Sequence, residues 1–245
     1  MNRFLVDKIN ATDRYVILSD PEQLHHFKDV LRVKPKEVVA VFDRLGNEYL
    51  AQVCEIGAAC AKLEIKEKRP LNELGIEITV ACAIPKKVKM DDIVDKLTQL
   101  GVTCIIPLQT ERVVVKLDKQ KKLQRFQRWE KIAISAVKQS QRSKFVVIKP
   151  AMEFNQVLSE ASDFDLKLIP TLEAERKTLK SMFNQAGRKF NKIMVLIGPE
   201  GDFTPQEIAL AKEAGFLPVS LGEQVLRVDT AAIAAVSFIK LNAEN

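Results

Sequence analysis

Apolar runs of strand length alternate with helical segments from residue 76 onward, and this alternation restricts the fold more than any other feature of the sequence. Strands that alternate with helices form a mostly parallel sheet covered by helices on both faces, because parallel neighbours need a crossover connection. The sequence therefore predicts an α/β domain. Its predicted strands are residues 76–83, 103–107, 145–148, 165–170, 192–197 and 216–221.

The first part of the chain has a different pattern, with short alternating runs, one helix at residues 22–30 and a hairpin turn at residues 45–47. Such strands are expected to close into a small β-barrel. Residues 68–75 lose periodicity and contain Pro, Asn and Gly, which is typical of a linker. We therefore predict two domains, residues 1–70 and 71–245. The N-terminal strands are predicted at residues 4–6, 15–18, 38–43, 48–54 and 61–65.

Basic residues are in excess, with a net charge of +6 over 245 residues. Part of this excess lies at the start of a predicted helix whose apolar face carries Phe126, Trp129 and Ala133. A polyanion such as RNA would bind such a surface, and a solvated helix face explains it as well. Charge alone leaves both interpretations open. The basic residues of the stretch are Lys119, Lys121, Lys122, Arg125 and Arg128.

The cysteine and histidine patterns argue against a structural zinc site. The four cysteines form no CxxC pair, and the histidines are the adjacent His25 and His26. The sequence contains no apolar leader and no apolar run of membrane length. We therefore expect a cytosolic protein with reduced thiols, with neither a metal centre nor a membrane anchor.

The most informative stretch is residues 193–207, in which a buried strand runs into a Gly-Pro turn and then into a helix. Thr204 is the predicted N-cap of that helix, and Glu207 completes a capping box. Gly198 and Gly201 allow unusual backbone angles and let a ligand approach the main chain. The stretch predicts a ligand-binding corner, although the same residues can serve only as a strand-to-helix turn. It is neither a dinucleotide-binding fingerprint nor a Walker loop.

A second glycine corner follows at Ser220-Leu221-Gly222, ahead of an Ala-rich terminal helix at residues 231–241. Asp229 or Thr230 is expected to cap that helix. The helix is apolar on nearly every side, so we expect it to be buried against the sheet or against a partner subunit.

These C-terminal motifs resemble, in order and spacing, the signature of the RsmE family of methyltransferases, which methylate N3 of a uridine in 16S ribosomal RNA. The signature is carried by Leu196-Ile197-Gly198-Pro199-Glu200-Gly201-Asp202-Phe203, Leu221-Gly222 and Val225-Leu226-Arg227-Val228-Asp229-Thr230-Ala231. Upstream matches extend the resemblance over nearly the whole chain. They are Arg3-Phe4, Val30-Leu31-Arg32, Lys89-Met90-Asp91, Gln99-Leu100-Gly101-Val102, Glu111-Arg112, Trp129, Lys131-Ile132-Ala133 and Gln139-Ser140-Gln141-Arg142.

The resemblance implies a PUA-like β-barrel for RNA binding, followed by a SPOUT domain whose chain passes through a trefoil knot, which no sequence pattern would predict. It also implies a homodimer that acts on 16S ribosomal RNA in the assembled small ribosomal subunit. S-adenosylmethionine would be held in the knotted loops, largely by main-chain atoms. The cofactor residues that the resemblance assigns are Thr171, Leu172, Ile197, Gly198, Pro199, Glu200, Gly201, Leu221, Gly222, Val225, Leu226 and Arg227.

The chain departs from the family pattern at three positions. Asp202 stands where the family usually has a second glycine, Val228 replaces a usual threonine, and Asp229 replaces a glutamate. An anion at position 202, in the first turn of the following helix, would interact favourably with the helix dipole, and it could also narrow the freedom of the loop. Asp229 keeps the carboxylate with a shorter reach, and activity is expected to survive both acidic changes.

The imide of uridine carries a proton on N3, so catalysis requires removal of that proton or stabilisation of the resulting anion by a cation. We expect this cation to be Arg142, with capping of the preceding helix as the structural alternative. Glu200 is the nearest motif carboxylate, but no general base is assigned. The residues expected at the RNA, several of which can also be ordinary surface groups, are Arg3, His26, Arg32, Arg112, Lys121, Lys122, Arg125 and Gln139.

Other functions stay open at this stage. A related SPOUT enzyme would methylate the ribose 2′-hydroxyl, and an RNA-binding protein could keep the fold without the activity. A nicotinamide-dependent oxidoreductase is disfavoured because the phosphate-binding glycines and the ribose-binding acid of that class are not in place. Intact glycines at 198, 201 and 222 argue against lost catalysis.

Overall fold

The computed structural model divides the chain into two compact units. The first contains Met1–Glu73 and Val137–Phe145, and the second contains Leu74–Ala136 and Val146–Asn245. Segment 137–145, which falls in the predicted second domain, thus belongs with the first unit, and the boundary at residue 70 stays a prediction. Most of the predicted linker and Gln141 lie outside the described residues. The structure describes residues 1–10, 12–69, 75–85, 89–113, 119–140, 142, 144–173, 176–186 and 190–243.

The first unit contains a five-stranded sheet. Its strands are β1 (Arg3–Leu5), β2 (Tyr15–Leu18), β3 (Val38–Phe42), β4 (Glu48–Ile56) and β5 (Ala61–Lys68). The hydrogen-bonded order is β1-β3-β4-β5-β2, in which only the β1–β3 pair is parallel. The predicted helix at residues 22–30 is present as α1 (Pro21–His25) followed by a π-helical segment, His26–Val30.

One hydrophobic core fills the first unit. All five strands contribute alternate residues to it, because successive side chains of a strand point to opposite faces. The helical segments add Leu24 and Phe27, and the Phe27 ring lies edge-on to Phe4 with 4.8 Å between the centroids. The small β domain that the sequence predicts is therefore present.

A buried ion pair lies at the start of β1. Arg3 Nη2 donates to Glu48 Oε2 at 2.7 Å, and the two side chains are 7% and 6% exposed. The same nitrogen donates to the Arg142 carbonyl at 3.1 Å, and the guanidinium lies 4.7 Å from the centroid of the Phe42 ring. Phe42 in turn stacks on Phe145 at 5.8 Å. Arg3 and Phe42 therefore anchor the segment that carries Arg142 to the strands of this unit.

The second unit contains an eight-stranded sheet. Its strands are β6 (Glu77–Ala83), β7 (Cys104–Gln109), β8 (Val147–Ile148), β9 (Met152–Glu153), β10 (Leu166–Pro170), β11 (Lys177–Thr178), β12 (Lys192–Ile197) and β13 (Leu217–Ser220). Their order is β11-β13-β10-β12-β6-β7-β8, with β9 also on β7, and every neighbouring pair is parallel.

Helices cover both faces of this sheet. They are α2 (Lys89–Gln99), α3 (Lys119–Gln139), α4 (Phe154–Ser159), α5 (Leu179–Ala186), α6 (Pro205–Glu213) and α7 (Val228–Ala243). On β12, Val195 enters the core with α2, α3 and α7, whereas its neighbours Met194 and Leu196 enter the core with α4 and α6. The predicted parallel sheet with helices on both faces is confirmed, while the knot stays an expectation of the resemblance. None of the helices in the described ranges is long and apolar enough to span a membrane.

The terminal helix starts earlier than the sequence predicts. It begins at Val228, so Asp229 lies in its first turn and neither Asp229 nor Thr230 is the cap that we expected. The Ala231 amide donates to the Arg227 carbonyl at 2.8 Å, which extends the helical ladder back to Arg227. Ala232 and Val236 are fully buried in the sheet core, so this face of the helix packs on the sheet.

Replacement of Glu48 by Gln should lower the free energy of unfolding of the first unit by about 3–5 kcal/mol, because the buried Arg3 guanidinium would lose its counter-charge. Chemical denaturation followed by circular dichroism measures the change. The control is Glu64→Gln, which removes the partner of the exposed Arg14 and should have a much smaller effect. Equal losses for the two variants would contradict the prediction.

Candidate functional site

A pocket opens at the carboxyl ends of β10, β12 and β13, and the start of α7 completes its walls. Its volume is about 580 Å³. These strands are neighbours in the order β13-β10-β12. Ligands commonly bind at this end of a parallel sheet, because the loops leave the strands in different directions and form a crevice.

The corner after β12 has the local structure that the sequence predicts. Thr204 caps α6: its Oγ1 accepts from the Glu207 amide at 3.2 Å, and Glu207 Oε2 accepts from the Thr204 amide at 2.9 Å. The helix start is therefore fixed by a capping box. Space is tight at Gly198, because a Cβ there would lie 3.0 Å from the Phe203 ring.

The left-handed backbone in this corner falls on Asp202, whose φ is +59°, and not on Gly198 or Gly201. Neither glycine therefore adopts the left-handed conformation that its lack of a side chain allows. Asp202 also precedes the cap of α6, so it lies outside the first helical turn, where we had expected it to meet the helix dipole.

The Asp202 carboxylate makes hydrogen bonds to another loop. Its Oδ2 accepts from Thr171 Oγ1 at 3.0 Å and from the Leu172 amide at 2.8 Å. Its Oδ1 accepts from the Phe203 amide at 2.9 Å. The loop after β12 is thereby joined to the loop after β10.

Residues after β7 hold the other side of the same corner. Arg112 Nη1 donates to the Gly201 carbonyl at 2.5 Å and to the Phe203 carbonyl at 3.3 Å. Glu207 Oε1 accepts from the Glu111 amide at 2.9 Å. Arg112 is a predicted RNA contact, but its Nη1 atom binds carbonyls of this loop within the protein.

The charges around the pocket are mixed. Arg176 lines it and donates from Nη1 to the Thr171 carbonyl at 2.9 Å, and the exposed Glu200 lines it as well. Burial raises the pKa of the Cys82 thiol, and the Asp229 and Glu200 carboxylates raise it further. Cys82 is therefore a neutral packing residue and not a nucleophile. Among the described residues, none makes a hydrogen bond to the buried Oδ1 of Asp229.

The pocket gathers all the predicted cofactor residues except Gly201 and Arg227. It also contains residues that the sequence reasoning missed. Ser220 and Gln224 flank the second glycine corner, so their position in the chain could have indicated them. Arg176 had no such signal, because it stands outside both motifs.

Five of the predicted site residues belong to the first unit, and their environments differ. They are Arg3, His26, Arg32, Gln139 and Arg142. The Arg3 guanidinium is buried and paired with Glu48, and its contact with RNA stays a prediction. His26, Arg32 and Gln139 are exposed. Arg142 is partly buried, and that burial lowers the pKa of its guanidinium, which nevertheless remains protonated.

The basic stretch lies on α3 in the second unit. Lys121 is exposed, whereas Lys122 and Arg125 are half-buried. Arg128 is committed to another contact, because its Nε donates to Asp91 Oδ2 at 2.6 Å. The Trp129 indole donates to the other oxygen of Asp91 at 3.1 Å, which ties α3 to α2.

Two family models match the two parts of this architecture. Residues 72–240 match an RNA methyltransferase domain, and residues 18–64 match an RNA methyltransferase PUA domain. The class is therefore an RNA methyltransferase with an N-terminal PUA domain, in agreement with the small β unit and the parallel sheet that follows it.

Similar proteins narrow this class. Ribosomal RNA small subunit methyltransferase E of Bacillus subtilis is 30% identical over 229 residues, which cover 91% of this chain and 89% of the relative. The chain belongs to the ribosomal RNA small subunit methyltransferase E family. A crystal structure of such an enzyme from Neisseria gonorrhoeae is bound to S-adenosyl methionine. That enzyme is 31% identical to this chain with a TM-score of 0.85, and the match covers 98% of this chain and 97% of the enzyme's chain. A methyltransferase from Legionella pneumophila, in complex with the same cofactor, has 32% identity and a TM-score of 0.83, with coverages of 98% and 96%.

Proposed function

We propose that this protein transfers a methyl group from S-adenosylmethionine to N3 of a uridine in 16S ribosomal RNA, within the assembled small ribosomal subunit. The observation that carries the proposal is the pocket at the ends of β10, β12 and β13, which is lined by the motif residues of this family. Two solved structures that resemble the whole chain hold S-adenosylmethionine.

The chemistry of the pocket suits this donor, because apolar side chains and a few polar groups line it together, as is common for small-molecule sites. Ile197, Leu221 and Leu226 offer apolar walls for an adenine ring, and Gly222, at a φ of +125°, leaves the main chain accessible. Arg176 is the one cation among the described lining residues. We propose that it receives the methionine carboxylate, since a guanidinium binds carboxylates strongly.

Bound S-adenosylmethionine supplies an electrophilic methyl carbon. The uridine N3 forms a bond to this carbon as the carbon–sulfur bond breaks, and the electron pair of that bond stays on sulfur. The N3 proton leaves to solvent or to a base, so negative charge develops on the imide. We propose that Arg142 stabilises this charge, because its partly desolvated cation acts more strongly than one in bulk water. The rest of the contribution is alignment of the reacting atoms, worth at most about 7–11 kcal/mol.

Basic and polar residues of both units that are exposed or half-buried are proposed to bind the ribosomal RNA. They are His26, Arg32 and Gln139 in the first unit, and Lys121, Lys122 and Arg125 on α3 in the second. Lysine and arginine would neutralise phosphates and release counterions, so affinity should fall as salt rises. Because the proposed substrate is the small ribosomal subunit, the proposed compartment is the cytoplasm.

A homodimer is part of the proposal. Leu172 and Val225 line the pocket, yet they are 53% and 70% exposed. Exposed apolar side chains at a binding site favour a covering surface, and a second copy of the chain would provide one.

The proposed function predicts binding of S-adenosylhomocysteine in calorimetric titration and formation of N3-methyluridine in small subunits from a strain that lacks the enzyme. Mass spectrometry of digested RNA, after incubation with labelled donor, identifies the product. Naked 16S transcript is the control and should take up little label. Label in 2′-O-methylribose would favour the ribose-modifying alternative, and binding without any label would favour an inactive RNA-binding protein. Light scattering of the same sample should give the mass of a dimer.

Replacement of Arg176 by Ala should weaken binding of S-adenosylhomocysteine by about tenfold, because one charge-assisted contact to the carboxylate is lost. The matched ligand is 5′-methylthioadenosine, which lacks the amino-acid moiety. Its affinity should be the same for the variant and the parent protein. An equal loss for both ligands would show that Arg176 only supports the Thr171 loop.

Replacement of Arg142 by Ala should reduce kcat by about 10²–10³-fold with little change in affinity for S-adenosylhomocysteine, because its charge stabilises the imide anion that forms when N3 loses its proton. The contrasting variant replaces Lys121, Lys122 and Arg125 by Ala, and it should raise KM for small subunits and flatten its salt dependence. An Arg142 variant that lost only cofactor affinity would contradict the assigned role.

A further inference from the structure

The backbone ladder between β10 and β12 ends before the pocket begins. Leu168 pairs with Val195, and the register between the two strands stops after this pair. The chain after Leu168 follows β13 instead, up to a bond from the Thr171 amide to the Val219 carbonyl at 3.2 Å. The loops after β10 and β12 therefore leave the sheet as separate pocket walls.

The Asp202 carboxylate spans this gap. It accepts hydrogen bonds from Thr171 Oγ1 and the Leu172 amide in one wall, and from the Phe203 amide in its own wall. Asp202, Thr171 and Leu172 all line the pocket. Ionised acceptors make stronger hydrogen bonds than neutral ones, so one side chain holds both walls.

The conformation of Asp202 is costly for a residue with a Cβ. Its φ of +59° lies in the left-handed region, which glycine adopts freely and most side chains avoid. A glycine here would be relaxed, but it could not reach the second loop. The strained backbone persists because the three accepted hydrogen bonds offset its cost.

We infer that Asp202 is a positioning residue that ties the two walls together and keeps the surface for the methyl donor formed before the donor binds. The inference rests on the proposed function, since it assigns the donor to this pocket. Without the tie, Thr171 and Leu172 would have to be ordered during binding, and that ordering reduces affinity. Asp202 acts through these two residues and takes no part in methyl transfer.

Replacement of Asp202 by Gly tests the inference without forcing the chain to unfold. Glycine relaxes the backbone, and the loop after β10 keeps two other contacts: Arg176 to the Thr171 carbonyl, and Lys212 to Glu173 Oε2 at 2.8 Å. We expect S-adenosylhomocysteine to bind about tenfold or more weakly in calorimetry. Hydrogen exchange at the Leu172 amide should become faster, while exchange in β12 stays unchanged.

A double-mutant cycle identifies the partner of the carboxylate. Thr171→Val removes one donor and should weaken binding in the parent protein, but it should have little further effect in the Asp202→Gly variant. Lys36→Gly in the first unit is the control for the effect of relaxing a left-handed backbone, because Lys36 has a φ of +74°. This control should leave binding and Leu172 exchange at parent values.

The possible results distinguish a failure of the role of Asp202 from a failure of the proposed function. Parent-level affinity in Asp202→Gly overturns the inference, whether or not Leu172 exchange changes, because the tie would then have no role in binding. Weakened affinity with unchanged exchange, or independent effects of the two substitutions, also overturns it. Failure of the parent protein to bind S-adenosylhomocysteine would instead overturn the proposed function.

Discussion

Strand β12 is paired to different lengths on its two sides, and the pocket depends on this inequality. Its ladder with β6 runs to Ile197 opposite Cys82, whereas its ladder with β10 stops at Val195. Two parallel strands that part before their ends leave a crevice between the loops that follow. Backbone groups released in this way need new partners, because an unpaired buried amide or carbonyl is costly. Side chains therefore take over from the ladder around the pocket.

The side chains that do this come from distant parts of the second unit. Arg112 after β7 and Glu207 in α6 satisfy one side of the corner, and Asp202 and Arg176 satisfy the loop after β10. Each is a charged group that bonds to at least one main-chain amide or carbonyl, so each fixes the path of a loop. A site built in this way is shaped before its ligand arrives, which lowers the entropic cost of binding.

Local signals in the sequence predicted much of this fold. The period of apolar residues marks β12, and Thr204 with Glu207 marks the start of α6, because both features depend on neighbours in the chain. Contacts between distant positions left no such signal. Arg3 and Arg112 were expected at the RNA, but their main partners are 45 and 89 residues away.

The predicted strand at residues 145–148 is too long for the same reason. The predicted strand at residues 145–148 is reduced to Val147–Ile148, because Phe145 stacks on Phe42 in the first unit. Segment 137–145 likewise joins the first unit through contacts that no periodicity shows. The cofactor pocket and Arg142 are consequently assigned to different units, although both were placed in a single domain from the sequence.

The bridge from Asp202 has an evolutionary consequence. In a chain without a hydroxyl at position 171, an aspartate introduced at position 202 would have the strained backbone but would lack one of the hydrogen bonds that offset its cost. A hydroxyl gained first at position 171 would be harmless. The order in which the two changes arise is therefore restricted, and reversion to glycine at 202 frees position 171 to drift. Among related sequences, the residues at 171 and 202 should vary together even though they are 31 positions apart.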